Sequence, residues 1–204
     1  LIPQLLPWKR RTGANTKNRP GKNRRTLQFP LKTALRTAII EKGFLAERTA
    51  RVFDPEDLAD LSEWRPEAIV APLRTTLKIA EMRRCGQMDL PGLSVVVVLT
   101  DIDGEPLGED YRESLWHSFG VPVFEQLRGS GGEVLARECE VHDGLHLDPA
   151  ARVAEELREL NAAMVNEPCE CGAETPRLRT YLRTRLPNSP GTWNVVAPVA
   201  RQAT

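Results

Sequence analysis

The chain has 204 residues and a mass of 22.8 kDa, room for one substantial α/β domain or two small ones. Its composition, 41% hydrophobic and 27% charged, is globular, and its longest apolar run, Leu93–Leu99 with one serine, falls far short of the ~20 residues of a membrane span. Four cysteines are too few for a disulfide-built scaffold, and the formal net charge of zero hides a basic beginning and an acidic remainder.

Residues 1–40 carry ten basic side chains, from Lys9 to Arg36, and no acid; the first is Glu41. Such a segment reads as a nucleic-acid-contacting arm, a mitochondrial presequence, or a solvated lead-in or gene-boundary remnant. Residues 1–30 are expected to be a disordered leader, with Arg11–Arg25 a loop or tail. Leu31, Leu35, Ile39 and Ile40 recur at helical spacing up to Gly43, which predicts a helix there. Asp54-Pro55-Glu56 predicts a short acidic helix with Asp54 as its N-cap and Leu58 and Leu61 turned inward.

Ala68–Ala71, between Pro66 and Pro72, reads as a strand, and Leu73, Leu77, Ile79, Ala80 and Met82 mark a helix after it. Cys85 is expected half-buried on that helix. The clearest strand is Leu93–Leu99: four consecutive valines point to alternate faces, so both faces must be covered, as in a parallel sheet. A helix over Glu109–Phe119, a strand over Val121–Phe124 and a β pair within residues 132–148 follow. Pro149–Asn166 carries Val153, Leu157, Leu160 and Met164 down one side, which predicts a further helix. Alternating strands and helices indicate an open, mostly parallel α/β layer.

Two constellations carry chemistry. Cys169 and Cys171 form a C-x-C pair followed by Gly172, and Cys139 lies upstream with His142 and His146. Zinc takes four soft or borderline ligands in a tetrahedron, commonly as two short-range pairs joined by the fold. Two thiolates from C-x-C, Cys139 and one of the two histidines would complete such a set, and the spacing does not choose between His142 and His146. Packed, reduced cysteines are the plainer alternative. The second constellation is the turn Gly129-Ser130-Gly131-Gly132-Glu133 after a strand, where bare amides can approach a phosphate. It matches no standard nucleotide motif, and a simple turn is the commoner meaning. Asp101–Gly104 lacks the ligand alternation of a calcium loop, and His117 has no nucleophile partner.

Four stretches in order resemble AMP-forming acyl-CoA ligases. Arg65–Pro72 resembles their Lys/Arg-Pro-Asp … Pro-Ser strand. Asp103–Leu107 resembles the Gly-Glu-Pro-Leu turn that lies against adenine, which implies nucleotide-contacting roles for Gly104, Glu105 and Pro106. Phe119–Gln126 resembles the strand leading to their Tyr-Gly-x-Thr-Glu loop. Leu135–Glu140, His142–His146 and Cys169–Leu178 resemble the phenylacetate-CoA ligase branch, some members of which bind zinc through a comparable Cys, His and C-x-C set. The resemblance spans roughly residues 50–180.

It implies carboxylate activation with ATP and magnesium and acyl transfer to coenzyme A, with a small carboxylic acid as substrate and a structural zinc. Catalysis of that kind is mainly positioning and charge neutralisation. At the Tyr-Gly-x-Thr-Glu position this chain reads Leu127-Arg128-Gly129-Ser130-Gly131: Ser130 keeps the hydroxyl, the aromatic residue and the aligned glutamate are gone, and Glu133 would replace the acid by a two-residue shift. The expected organisation is a basic leader to residue 30, an adenylating-core fragment over 31–130, a zinc-knuckle region over 131–186 and a tail. The expected protein is a divergent or truncated ligase-like chain, cytoplasmic, incomplete as a catalyst alone, with a homodimer as a further expectation. The alternative is a non-catalytic zinc-containing module whose basic arm contacts nucleic acid. Few aromatics and no basic recognition helix argue against that arm as a nucleic-acid reader.

Overall fold

A computed structural model describes residues 35–44, 49–149 and 164–179, and the backbone of 183–185 and 193–195. Its framework is a nine-stranded mixed sheet. Strands β1 (Thr37–Ile39), β2 (Ala50–Val52), β3 (Ala68–Pro72), β4 (Val95–Asp101) and β5 (Val123–Arg128) run parallel, in the order β2-β1-β3-β4-β5. Beyond β5 the sheet turns antiparallel through β6 (Val134–Glu138), β7 (Leu145–Leu147), β9 (Arg177–Leu178) and β8 (Met164–Val165). The sheet is continuous across residue 130. Two further strands, β10 (Arg183–Arg185) and β11 (Trp193–Val195), pair antiparallel with each other.

The valine run explains the parallel half. Val96 and Val98 face the helices α2 (Leu73–Arg84) and α3 (Glu109–Phe119), where they pack with Ile69, Ile79, Leu115 and Phe119. Val97 and Leu99 face the other way, against Ile39, Phe44 and Val70. Both faces are dry, as a central parallel strand requires. Helix α3 carries Glu109 and Asp110 in its first turn and His117 in its last, matching the helix dipole. It stops at Gly120, whose left-handed backbone (φ 68°) lets its N–H reach the Trp116 carbonyl at 2.7 Å.

Three expectations fail in instructive ways. The segment read as a helix up to Gly43 contains β1: Thr37–Ile40 is buried on all sides, and a short apolar run of this kind suits a central strand as well as a helix. Residues 31–34 of that segment lie outside the described residues. Asp54 caps no helix; its carboxylate accepts the Glu56 N–H at 3.1 Å in an Asx turn, and the helical turn that follows is α1 (Leu61–Trp64). Cys85 ends α2 and is exposed rather than half-buried.

The helix expected over Pro149–Asn166 falls mainly outside the described residues. Its last part is a strand instead, because Met164 and Val165 pair with Leu178 and Arg177. The basic leader expected over residues 1–30 also lies outside the described residues. No helix among the described residues is long and apolar enough to cross a membrane.

Candidate functional site

The antiparallel half gathers three of the four cysteines and one histidine. Cys139 follows β6, His146 is the middle residue of β7, and Cys169 and Cys171 occupy the turn between β8 and β9. Their four ligand atoms all lie within 4.8 Å of one another. Cys139 Sγ is 3.8 Å from Cys169 Sγ, and Cys171 Sγ is 3.4 Å from His146 Nε2. A tetrahedral zinc with bonds of about 2.3 Å to sulfur and about 2.05 Å to nitrogen sets those edges at about 3.8 and about 3.6 Å. Those two edges are compatible with a tetrahedral zinc site. At 3.8 Å the two sulfurs are also far beyond disulfide contact.

Local backbone shapes the cage. The Gly172 N–H closes on the Cys169 carbonyl at 2.9 Å, with Gly172 in left-handed backbone (φ 82°), so the C-x-C turn folds both sulfurs to one side. Gly144 (φ 86°) passes so close to β9 that a Cβ there would meet the Leu178 carbonyl oxygen at 2.6 Å. That close approach brings the Cys139 loop against the strand following the C-x-C turn.

Burial and the neighbouring Cys171 and Cys169 thiols push the Cys139 thiol up to about 12. Burial also resists ionisation of Cys169, but the Cys171 N–H, the Cys171 and Cys139 thiols and the Arg177 charge outweigh it and lower that thiol. A divalent cation would favour the thiolate form where burial resists ionisation, as at Cys139. Burial, with the charges of Arg177 and Arg137, lowers the His146 imidazole and keeps it in the neutral ligand form. Its Nδ1 lies 3.0 Å from the Thr175 hydroxyl, the outer-sphere contact that fixes a metal-binding imidazole.

His142 stands apart from the cage. Its Nδ1 is 2.9 Å from Glu138 Oε1 and its ring stacks on Phe124 at 4.7 Å. Of the two histidines the sequence left open, the fold brings only His146 to the cysteines.

At the carboxyl ends of β4 and β5 lies a cavity of about 330 Å³, bordered by Asp101, Ile102, Asp103, Arg128, Gly129 and Ser130. This is the edge at which open α/β sheets bind ligands. A register shift between Leu127 and Arg128 marks the end of β5, and the buried Arg128 guanidinium pairs with Glu41 at 2.5 Å and Asp101 at 2.8 Å. The glycine-rich segment is a hairpin turn from β5 into β6: the Gly129 N–H donates to the Glu133 carbonyl and the Gly132 N–H to Gly129. Two amides are thus spent within the turn, and no helix follows to aim its dipole at an anion. Gly104 closes a turn onto Asp101 at 2.8 Å beside the cavity. Glu105 instead accepts the Tyr111 hydroxyl at 2.7 Å, and neither Glu105, Pro106 nor Glu133 borders the cavity.

No protein-family model matches the chain, and no curated protein matches it. Solved structures do. An open conformation of 2-hydroxyisobutyryl-CoA ligase, in complex with 2-HIB-AMP and CoA, superposes with a TM-score of 0.52 at 14% identity. The match covers 73% of this chain and 44% of that one. The fold resembles part of that ligase. The same ligase in its thioesterification state gives a TM-score of 0.49 at 14% identity, over 73% of this chain and 43% of that one. The chain therefore spans less than half the length of the ligase it matches.

Within the sheet, a buried network went unread in the sequence. Glu125, on β5, is buried, accepts the Thr100 hydroxyl at 2.7 Å through Oε1, and has no partner at Oε2. Its N–H donates to Glu138 Oε2, which also receives Arg112 at 3.1 Å. Burial, aided by the Glu138 charge and opposed by the Thr100 hydrogen bond, raises the Glu125 carboxyl above its ordinary range. The strand expected over Val121–Phe124 stops short of this residue, and only the assembled sheet, in which β5 runs on to Arg128, makes its carboxylate a buried one that must be paired or neutral.

A raised carboxyl pKa stabilises the fold below the ordinary carboxylate range, and that contribution is lost as pH rises through the raised value. Glu125→Gln removes the penalty. Thermal melts should show the variant about 2–6 °C more stable than the parent at pH 8, with the difference shrinking towards pH 4. An unchanged difference across that range would mean that Glu125 does not titrate in the fold.

Proposed function

We propose that this chain is a zinc-stapled, divergent member of the AMP-forming acyl- or aryl-CoA ligases, of the phenylacetate-CoA ligase type. The observation that carries the reading is the fold likeness to a ligase crystallised in complex with 2-HIB-AMP and CoA, joined to the loop pair 101–104 and 128–132 that meets at the sheet's carboxyl edge. In this reading a magnesium-bound adenine nucleotide sits at that edge. Ser130 offers its hydroxyl to phosphate, and the turn at Gly104 borders the nucleotide. The edge is acidic, with Glu41, Asp101 and Asp103 around one arginine that two of them already hold. Such a lining suits a metal-bound nucleotide and disfavours a bare polyphosphate.

Zinc would be held by Cys139, His146, Cys169 and Cys171. Four protein ligands close the coordination sphere and leave no position for a substrate, so the ion would be structural. It would tie the antiparallel strands together next to β5, whose far end reaches the nucleotide edge. A small carboxylic acid and coenzyme A are the further partners, and the chain is not a complete catalyst by itself: with Arg128 engaged, the described residues bring no uncommitted cation to the cavity for the transferring phosphoryl group.

Titration calorimetry with Mg·ATP and pyrophosphate exchange with a panel of aromatic and branched acids test this reading. Mg·ATP should bind, and Ser130→Ala should weaken it about tenfold, the value of one hydrogen bond to a charged group. Neither binding nor exchange with any acid would overturn it.

A further inference from the structure

One buried cation touches both ligand-bearing loops of the Cys3His cage. Arg177, on β9, is 3% exposed and lies directly across the ladder from His146. Its Nη1 donates to the Asp143 carbonyl at 2.9 Å and to the Asp143 carboxylate, in the loop that begins at Cys139. Its Nη2 donates to the Glu167 carbonyl at 3.3 Å, in the segment that leads into Cys169 and Cys171. A single planar fork thus spans the two loops that supply all three thiolates, from a strand registered on the fourth ligand.

Charge gives the same residue a second task. Three thiolates and a neutral imidazole around a divalent ion leave the centre with one net negative charge, in a partly dry setting. The guanidinium of Arg177 interacts electrostatically with both Cys139 and Cys169. Asp143 faces Arg177, but it is partly solvent-exposed and also pairs with Arg179 at 3.4 Å, so its charge is screened and shared. The buried positive charge next to the sulfurs remains that of Arg177.

We propose that Arg177 is the positioning residue and counter-charge of the metal centre, holding the two thiolate loops in register and offsetting the charge of the loaded cage. This role rests on the zinc reading above. Lysine cannot reproduce it in full, because a single ammonium lacks the fork that reaches both loops.

The test is zinc competition against a chromophoric chelator, with the cobalt-substituted protein read by its sulfur-to-metal charge-transfer and tetrahedral ligand-field bands. Arg177→Gln should lower zinc affinity about 10–100-fold, the usual cost of losing an outer-sphere partner, and should shift the cobalt bands. Arg177→Lys should recover part of the affinity but not the parental band shape. Asp143→Asn keeps the buried charge and loosens the clamp, so its loss should be smaller than that of Arg177→Gln, and it decides the matter together with Arg177→Lys if the glutamine variant does not fold. Parental affinity and bands in Arg177→Lys and Asp143→Asn, and in Arg177→Gln where it folds, would overturn the role while leaving the metal centre intact. A parent chain that takes up neither zinc nor cobalt would overturn the metal reading itself.

Discussion

Cys169→Ser should reduce the zinc content of the purified chain from about one ion to less than a tenth of one, and should lower the melting temperature by about 10 °C or more. Serine keeps the size and the turn but offers no thiolate, and a three-ligand remainder binds zinc far less tightly. The size of the effect follows from what the ion replaces. Strands β6, β7, β8 and β9 run for five residues or fewer, and their own apolar cluster is small: Leu127, Leu135, Ala136, Leu145, Leu147 and Leu178. Short strands over so limited a core are marginal alone. Binding energy for structural zinc of the order of 10 kcal/mol is then largely folding energy for this half of the sheet. A loss of about 4 kcal/mol converts to about 8–16 °C for a domain of this size. A chelator strong enough to strip the parent should bring its melt to that of the variant. Equal melts with and without chelator, at full zinc occupancy beforehand, would show that the ion is bound but not structural.

Gly144→Ala should be the most damaging single-methyl change in the metal-binding half. At φ 86° any side chain is strained, by about 1–2 kcal/mol. Here the added carbon would also meet the Leu178 carbonyl oxygen at 2.6 Å and its carbon at 3.2 Å, both backbone atoms with no flexible end to yield. Relief requires β9 to move away from the 139–144 loop, which pulls Arg177 from Asp143 and the C-x-C turn from Cys139. The expected loss is about 3–4 kcal/mol with a parallel loss of zinc affinity. Gly172→Ala is the control. It carries the same sign of φ, 82°, but nothing lies within 4 Å of its added carbon, so its cost should stay near the strain alone. Denaturant melts of the two variants, side by side, check the ranking. Equal losses would mean that the close approach to β9 is not a constraint.

How far the sequence carried the reading depends on what each signal measures. The valine run gave β4 and its two-sided burial because four β-branched residues in succession have one good home. Helix α3 was legible at both ends, acidic at its start and glycine-stopped. The strand β1 was lost because Thr37–Ile40 is apolar without a decisive period, and because its partners, β2 and β3, lie on either side of it only in space.

The Cys3His cluster was legible as a residue set and not as a geometry. C-x-C and Cys139 announced three ligands by type and spacing, but the choice between His142 and His146 rests on strand pairing. His146 lies in β7, across from Arg137 and Arg177, which brings it beside the C-x-C turn; His142, four residues earlier, falls in the loop and turns to Glu138. Arg177 and Glu125 were invisible for a related reason. Each is a common charged residue whose meaning comes from burial, and burial of a charge in a strand is a property of the assembled sheet.

Zinc-edge X-ray absorption on the purified full chain tests the central claim most directly, since it reads the metal and its ligands together. A first shell of three sulfurs at about 2.3 Å and one nitrogen at about 2.05 Å is the predicted result. A chain that retains no zinc after dialysis, or a first shell of light atoms without sulfur, would contradict it.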